Sequence, residues 1–350
     1  MAELIELFAR RSPDPHIQGD ASNTLGWLYS KRGMLEPIRG TLELARGAYA
    51  AALRAYEPLP DTRWVVAEIR LELGLIQEHQ GLAAQAVAMY RAVVEFLEKH
   101  PCEKLELVAR HRLGHALLIQ GRADLALVEI ECALKLSRRL GADRTMQRVL
   151  GNRGRVYQVL GRFAEAESDQ KEALASSRQL GERADIGHHL NHLAMILITR
   201  RKLDEGEPYI QEALDIARQL QDHESEQQCL GNLGLLYQAR ADKDASRRRE
   251  RLDLALDCYQ KAITIARYRK DWRHLGDHLL NEGNIYREIE QQSEAHACYK
   301  QAIALAKAYH ADDTEWRIRY ASGTLFMLQK QYAQAFEQYK RAITIVEHQR

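Results

Sequence analysis

Two pairs of histidines, His111/His115 and His188/His192, are spaced four residues apart. On a helix that spacing sets both imidazoles on one face, where a metal ion can bridge them. No cysteine or carboxylate is placed to complete either site, and the pairs lie too far apart to share one ion. Structural histidine is therefore the expected role, and no metal or cofactor is implied. The amides and cations around them suggest recognition instead. Asn152, Asn191, Asn232, Asn281 and Asn284, with Gln228, each offer donor and acceptor together, as a peptide backbone requires. Arg148, Arg155 and the histidines can fix carboxylates. The chain lacks GxxxxGK[ST], GxSxG and HExxH, and no cysteine and histidine form a nucleophile-and-base pattern, so an enzyme is not expected.

These residues recur in register. LGNRGRVYQVLG at Leu150–Gly161 returns as LGNLGLLYQAR at Leu230–Arg240. Aligning on the second glycine gives Gly26, Gly74, Gly114, Gly154, Ala194, Gly234, Gly283 and Gly323, at steps of 48, 40, 40, 40, 40, 49 and 40 residues. Twelve residues beyond most of these stands a small residue (Ala86, Ala126, Ala166, Gly206, Ala295, Ala335). Four further on comes a large residue, usually Tyr or Ile, with Gln170 in one unit, and three beyond that Val93 or alanine. The two long units keep the triad as Ala45, Tyr49, Ala52 and as Ala255, Tyr259, Ala262, so their extra residues are expected in the turn between two helices.

Apolar residues at intervals of three and four, such as Leu233, Leu236 and Tyr237, mark amphipathic helices, and Arg153 is irregular in standing where Leu233 does. Gly121, Gly141, Gly161 and Gly181 punctuate the turns, where a helix end wants a left-handed residue. In each helix with two glycines, the second is expected to receive the Tyr of the next helix. The first is expected to face inward and make room for a bound chain. A two-helix unit of this size cannot bury its apolar face alone, so the units must stack.

In the order of its Leu-Gly, Tyr, Gly, Ala, aromatic and Ala positions the chain resembles a tetratricopeptide repeat (TPR) protein. The forty-residue period is similar to the subclass of kinesin light chains, Pins-type adaptors and sensor regions of STAND-type regulators. That resemblance implies an all-α fold, a right-handed α-solenoid of about eight helical hairpins. The units are placed at about 18–60, 64–101, 104–141, 144–181, 184–221, 224–270, 272–310 and 313–350, behind a capping helix over 1–14. Arg201, Gly206 and Pro208 depart from the pattern in the fifth unit, which is the expected compliant point.

The resemblance further implies a concave groove lined by the first helix of each unit, at positions 2, 5, 6, 9, 12 and 13 when the aligned glycine is position 8. The first two units then contribute an acidic end: Asp20, Asn23, Trp27, Glu68, Glu72 and Glu78. The middle is basic and rich in imidazole: His111, Arg112, His115, Arg148, Asn152, Arg155, His188, Asn191 and His192. Gln228, Asn232, Asn281 and Asn284 follow. In the family's carboxylate clamp, the matching slots here are His111, His115, Asn152, His188 and His192. With histidine in place of lysine and arginine, such a grip would weaken above neutral pH. The alternative is that these are solvated polar residues on an exposed helix face.

Lys plus Arg (50) balances Asp plus Glu (49), which disfavours a nucleic-acid partner. The five separated cysteines suit reduced thiols in a cytoplasmic protein. No apolar run spans a bilayer, so no membrane is expected. The basic stretch Arg247–Arg251 is read as a solvated helix extension, with contact to phosphate or an acidic partner as the other possibility. At the C-terminal end, Ala335, Tyr339, Ile343 and Val346 would ordinarily lie under another helix, so chain continuation or self-association is expected there. The function expected is a non-catalytic protein-protein interaction scaffold that takes a peptide or helical segment in its groove. The alternative is the partner-sensing region of a larger STAND-type regulator.

Overall fold

The computed structural model describes residues 14–35, 40–243, 245–309 and 311–348. The capping helix expected over 1–14 lies, but for Asp14, outside them. Among the described residues there are sixteen α-helices, one short 3-10 turn and no strand. The chain divides into two compact units, residues 1–169 and 170–350.

In the first unit, α1 (Pro15–Leu35) pairs with α2 (Thr41–Tyr56), α3 (Arg63–His79) with α4 (Ala83–Lys99), and α5 (Glu103–Ile119) with α6 (Ala123–Leu140). There follow α7 (Asp143–Val159) and α8 (Phe163–Leu180), inside which the boundary falls. The second unit pairs α9 (Arg183–Thr199) with α10 (Leu203–Gln219) and α11 (His223–Ala241) with α12 (Arg248–Arg269). It ends with α13 (Trp272–Glu288) beside α14 (Gln292–Ala308) and α15 (Asp312–Leu328) beside α16 (Tyr332–His348). Within each unit successive hairpins stack, so the chain is an α-solenoid.

The periodic small residues are what let the helices close. Ala45, Ala86, Ala126, Ala166, Ala255, Ala295 and Ala335 have no exposed surface. The glycine of the first helix and the large residue of the second are a fitted pair. A Cβ on Gly26 would lie 2.7 Å from the Tyr49 ring, one on Gly234 2.7 Å from Tyr259, and one on Gly283 2.6 Å from Tyr299. Each such glycine costs roughly 1 kcal/mol of helix propensity relative to alanine, which the burial of a whole tyrosine offsets. Gln170 replaces the aromatic in one unit, is wholly buried, and sets its amide oxygen 3.1 Å from His189 Nδ1.

The turns end as the glycines require. Gly161 has φ 73°, and the next residue, Arg162, returns its N–H to the Tyr157 carbonyl at 2.8 Å. In the second unit, after Gly181 (φ 69°), this left-handed position is held by Arg201 (φ 59°), Gln221, Lys270, Glu290 and Lys330. Arg153, in the place of an apolar residue, is explained by Asp169: the two form a paired bond at 2.7 and 2.8 Å, and the guanidinium lies 5.5 Å from the Tyr157 ring centre.

Over its described residues the basic insertion in the sixth hairpin is an exposed helix extension. It continues as a 3-10 turn, Ala245–Arg247, and an extended first turn of α12. Arg251 donates to the Arg240 carbonyl at 2.7 Å, Arg248 meets Glu288 at 2.8 Å, and Arg249 meets Asp253 at 3.1 Å. Backbone and carboxylate partners thus absorb charges that would repel in an isolated helix.

Candidate partner-binding site

In the first unit, positions 5 and 6 of neighbouring first helices meet. Arg112 on α5 donates to the Leu71 carbonyl on α3 at 2.8 Å and faces Glu72 at 3.3 Å. One hairpin on, Asn152 of α7 donates its amide to His111 Nε2 of α5 at 2.8 Å. Arg155 approaches the Asn152 carbonyl oxygen at 3.4 Å, and His115 Nδ1 faces Glu78 at 3.2 Å. An amide N–H can be accepted only by an unprotonated ring nitrogen, so His111 is neutral in this bond. Its surroundings enforce that state: burial first, then His115, Arg112 and Arg148, push its pKa down to about 3. The expectation of a cationic clamp that fades above neutral pH fails at His111, because this imidazole carries no charge in the physiological range. Burial likewise lowers the pKa of Arg155.

The second unit repeats the pattern. Asn232 of α11 donates to Asn191 Oδ1 of α9 at 2.8 Å, and Asn191 is buried. Asn284 accepts the Tyr299 hydroxyl at 2.8 Å. Of the amides singled out from sequence, Asn191 and Asn232 therefore bond one another between hairpins, Asn152 bonds His111 across another such step, and Asn284 bonds within its own hairpin. Half-buried Gln228 and Asn281 make no hydrogen bond to any described residue, and His188 is exposed. Gly231 overturns a second expectation. It does not open space for a ligand: a Cβ there would sit 2.7 Å from His278 Cε1, so the imidazole fills the gap.

That imidazole belongs to a buried polar network that the repeat pattern does not reveal. Gln227, wholly buried, lies 3.4 Å from His278 Nε2 and donates to Asp271 at 3.2 Å. Arg269 reaches Gln227 at 3.1 Å and Glu224 at 2.7 Å, while His274 Nδ1 lies 2.8 Å from Asp271. Burial would raise the Asp271 pKa, but its bonds to His274 and Gln227 bring it down to about 2. Burial holds His278 down at about 4. The only sequence signal was the Asp271 N-cap, whose carboxylate accepts the His274 N–H at 3.3 Å.

The first unit also holds a cavity of about 530 Å³ where α1, α3 and α5 converge, at the end read as acidic. A second, of about 560 Å³, lies on α15 and α16, lined by Trp316, Tyr320, Tyr339, Ala342 and Ile343. The face beside it leaves Tyr332, Phe336 and Ile343 exposed. No three metal-ligating side chains gather among the described residues, and no described helix is long and apolar enough to cross a membrane.

Stacked helical hairpins whose first helices present a row of polar side chains define a solenoid of the interaction type. Comparison with family models agrees: the model described as tetratricopeptide repeat matches residues 105–179, 185–249 and 244–308, and a second such model matches 39–101. The chain belongs to the tetratricopeptide repeat family. A search of curated protein sequences finds no match. Among solved structures, the chain is similar to the STAND-type signal-transduction ATPase with a tetratricopeptide repeat sensor from Pyrococcus horikoshii. The TM-score is 0.63 at 14% identity, over 98% of this chain and 51% of that one. It is similar to RapI in its apo form, with TM-score 0.61 at 14% identity over 80% of this chain and 97% of that one. A Rap protein complexed with competence and sporulation factor gives TM-score 0.61 at 17% identity, over 81% and 75% of the two chains. At these identities the likeness is one of fold.

Proposed function

We propose that this chain is a non-catalytic scaffold that holds a peptide or helical segment of a partner protein along its row of first helices. The observation that carries the reading is the alignment of polar side chains at the same helix positions in successive hairpins. Asn152 with His111, and Asn232 with Asn191, form rungs that fix neighbouring helices, while Gln228 and Asn281 keep unused donors and acceptors beside them. An extended backbone needs such alternating partners, and Arg148 and His188, exposed at position 2, supply contacts for acidic side chains. The fold it shares with a Rap protein that has been seen in complex with a factor is consistent with this use.

The test is a pull-down with Arg148→Glu, at an exposed position, and with Gln228→Arg plus Asn281→Arg, at half-buried positions, all off the rungs. Loss of captured partners, with helical circular dichroism unchanged, supports the reading. An unaltered set of partners in both variants rejects it.

A further inference from the structure

We propose that the cavity of the first unit is a receptor for a cationic side chain, a lysine or arginine carried by the bound segment. The inference rests on the scaffold reading and names the chemistry of one subsite in it.

The walls have two characters. Ile69, Leu71 and Val108 give an apolar floor, and Trp27 stands over it with 53% of its surface exposed. An indole left that bare beside a concave apolar surface is set to cover something. Around the rim the charge is negative. Glu68 is exposed and makes no hydrogen bond or ion pair with any described residue. Glu72 is only partly compensated, at 3.3 Å from Arg112. Arg112, the one cation among the described lining residues, is already engaged, since it also donates to the Leu71 carbonyl at 2.8 Å.

Tyr49 adds an independent mark. Among its counterparts at the repeat position, Tyr90 ends on Glu78 at 3.2 Å, Tyr299 on Asn284 at 2.8 Å and Tyr339 beside Thr324 at 3.3 Å, while the Tyr259 hydroxyl is buried without a partner among the described residues. Tyr49 is 2% exposed and lines the cavity, yet its hydroxyl has no hydrogen-bond partner among the described residues. The Tyr49 oxygen is not enclosed as that of Tyr259 is; it opens on the cavity, where a donor from outside can reach it.

One ligand group meets all three features. A lysine or arginine stem lies along Ile69, Leu71 and Val108, and its head stacks on the indole, where cation–π attraction operates. The head then donates to the Glu68 carboxylate and the Tyr49 oxygen. A carboxylate in the same place would face Glu68 and Glu72, and a purely apolar group would leave the negative rim without a counter-charge.

The full chain labelled at its tryptophans gives four indole N–H signals, and Trp27→Phe identifies that of Trp27. The probes are two pools of blocked random nonapeptides, one with a fixed central lysine or arginine and the other with a fixed central glutamate. The cationic pool is expected to shift the Trp27 signal at concentrations at least five-fold below the acidic pool. Glu68→Gln is expected to abolish that preference, and Tyr49→Phe to weaken it several-fold. A Trp27 signal that answers both pools equally, or neither, overturns the proposal, as does a preference that survives Glu68→Gln. Partners lost by Arg148→Glu but retained by Glu68→Gln would leave the scaffold reading standing and remove this one.

Discussion

Asn152 and His111 stand one hairpin apart and are joined by a 2.8 Å bond in which the imidazole accepts. The bond couples neighbouring first helices by a contact that needs a neutral histidine. It gives the polar face a structural share beside the recognition role proposed for it. Asn152→Ala is expected to remove about 1 kcal/mol of stability, because His111 Nε2 loses its donor in a half-buried place. Urea denaturation measures it, and an unchanged midpoint would show the rung to be idle.

Acid should loosen the same coupling. His111 and His278 are held down at about 3 and about 4, while both would titrate near 6.5 in the unfolded chain. As pH falls below about 6.5 the unfolded chain binds protons that the folded chain refuses, so stability falls with pH down to about 4. Asp271 acts in a lower window: its folded pKa of about 2 lies below the unfolded value of 3.8, so its contribution is present above 3.8 and lost beneath it. His278 is almost wholly buried, and its share over the upper window is roughly 3 kcal/mol. His278→Gln should flatten the difference in urea midpoint between pH 7.5 and 5. An equally steep dependence in that variant would place the acid sensitivity elsewhere.

The hairpins were legible because their signal is repeated: small residue, large residue and glycine return at fixed offsets, and any one can vary without hiding the others. The partners of the polar residues were not. Asn152 meets His111, and Asn232 meets Asn191, because position 6 of one helix falls opposite position 5 of its neighbour. That stagger comes from how the hairpins pack and leaves no trace in spacing along the chain. The Gln227, Asp271 and His278 network is similar, since its members come from α11, the turn before α13, and α13 itself. The acidic residues Glu68 and Glu72 were visible as a class. The bare hydroxyl of Tyr49 was not, because the pattern marks Tyr49 only as packing.

Arg153 and Asp169 make a second kind of pairing, largely withdrawn from water, with side-chain exposures of 17% and 7%. Asp169→Ala strands the guanidinium and is expected to cost about 2–4 kcal/mol. The double change Arg153→Leu with Asp169→Leu should recover most of that, since a matched apolar pair replaces a buried ion pair at little loss. Thermal melts of the two variants decide it; a double variant no better than the single would mean the site cannot repack.

Arg201 carries a left-handed backbone at φ 59° where earlier hairpins use glycine. An L-residue there costs roughly 1 kcal/mol relative to a residue without a Cβ. Its ion pair with Asp242, 3.9 Å and exposed, contributes little in return. Arg201→Gly is expected to raise the melting temperature slightly, and a fall would show that the Asp242 contact outweighs the backbone strain.

Gly206 and Gly283 occupy helices with opposite surroundings, and alanine should separate them. At Gly206 an added Cβ would stand 3.5 Å from the Ala194 carbonyl oxygen and 3.5 Å from Leu197 Cβ, which is ordinary contact. Gly206→Ala is therefore expected to stabilise the fold by about 0.5–1 kcal/mol through helix propensity. At Gly283 the same atom would come within 2.6 Å of the Tyr299 ring, which has no exposed surface into which to retreat. Gly283→Ala must push the ring or part the hairpin, at about 1–3 kcal/mol, as overpacked cores do. The two variants measured by the same denaturation should move in opposite directions. If both stabilised the protein, the fit of glycine against tyrosine would not be what closes the hairpin, and the packing account of the repeat would have to be replaced.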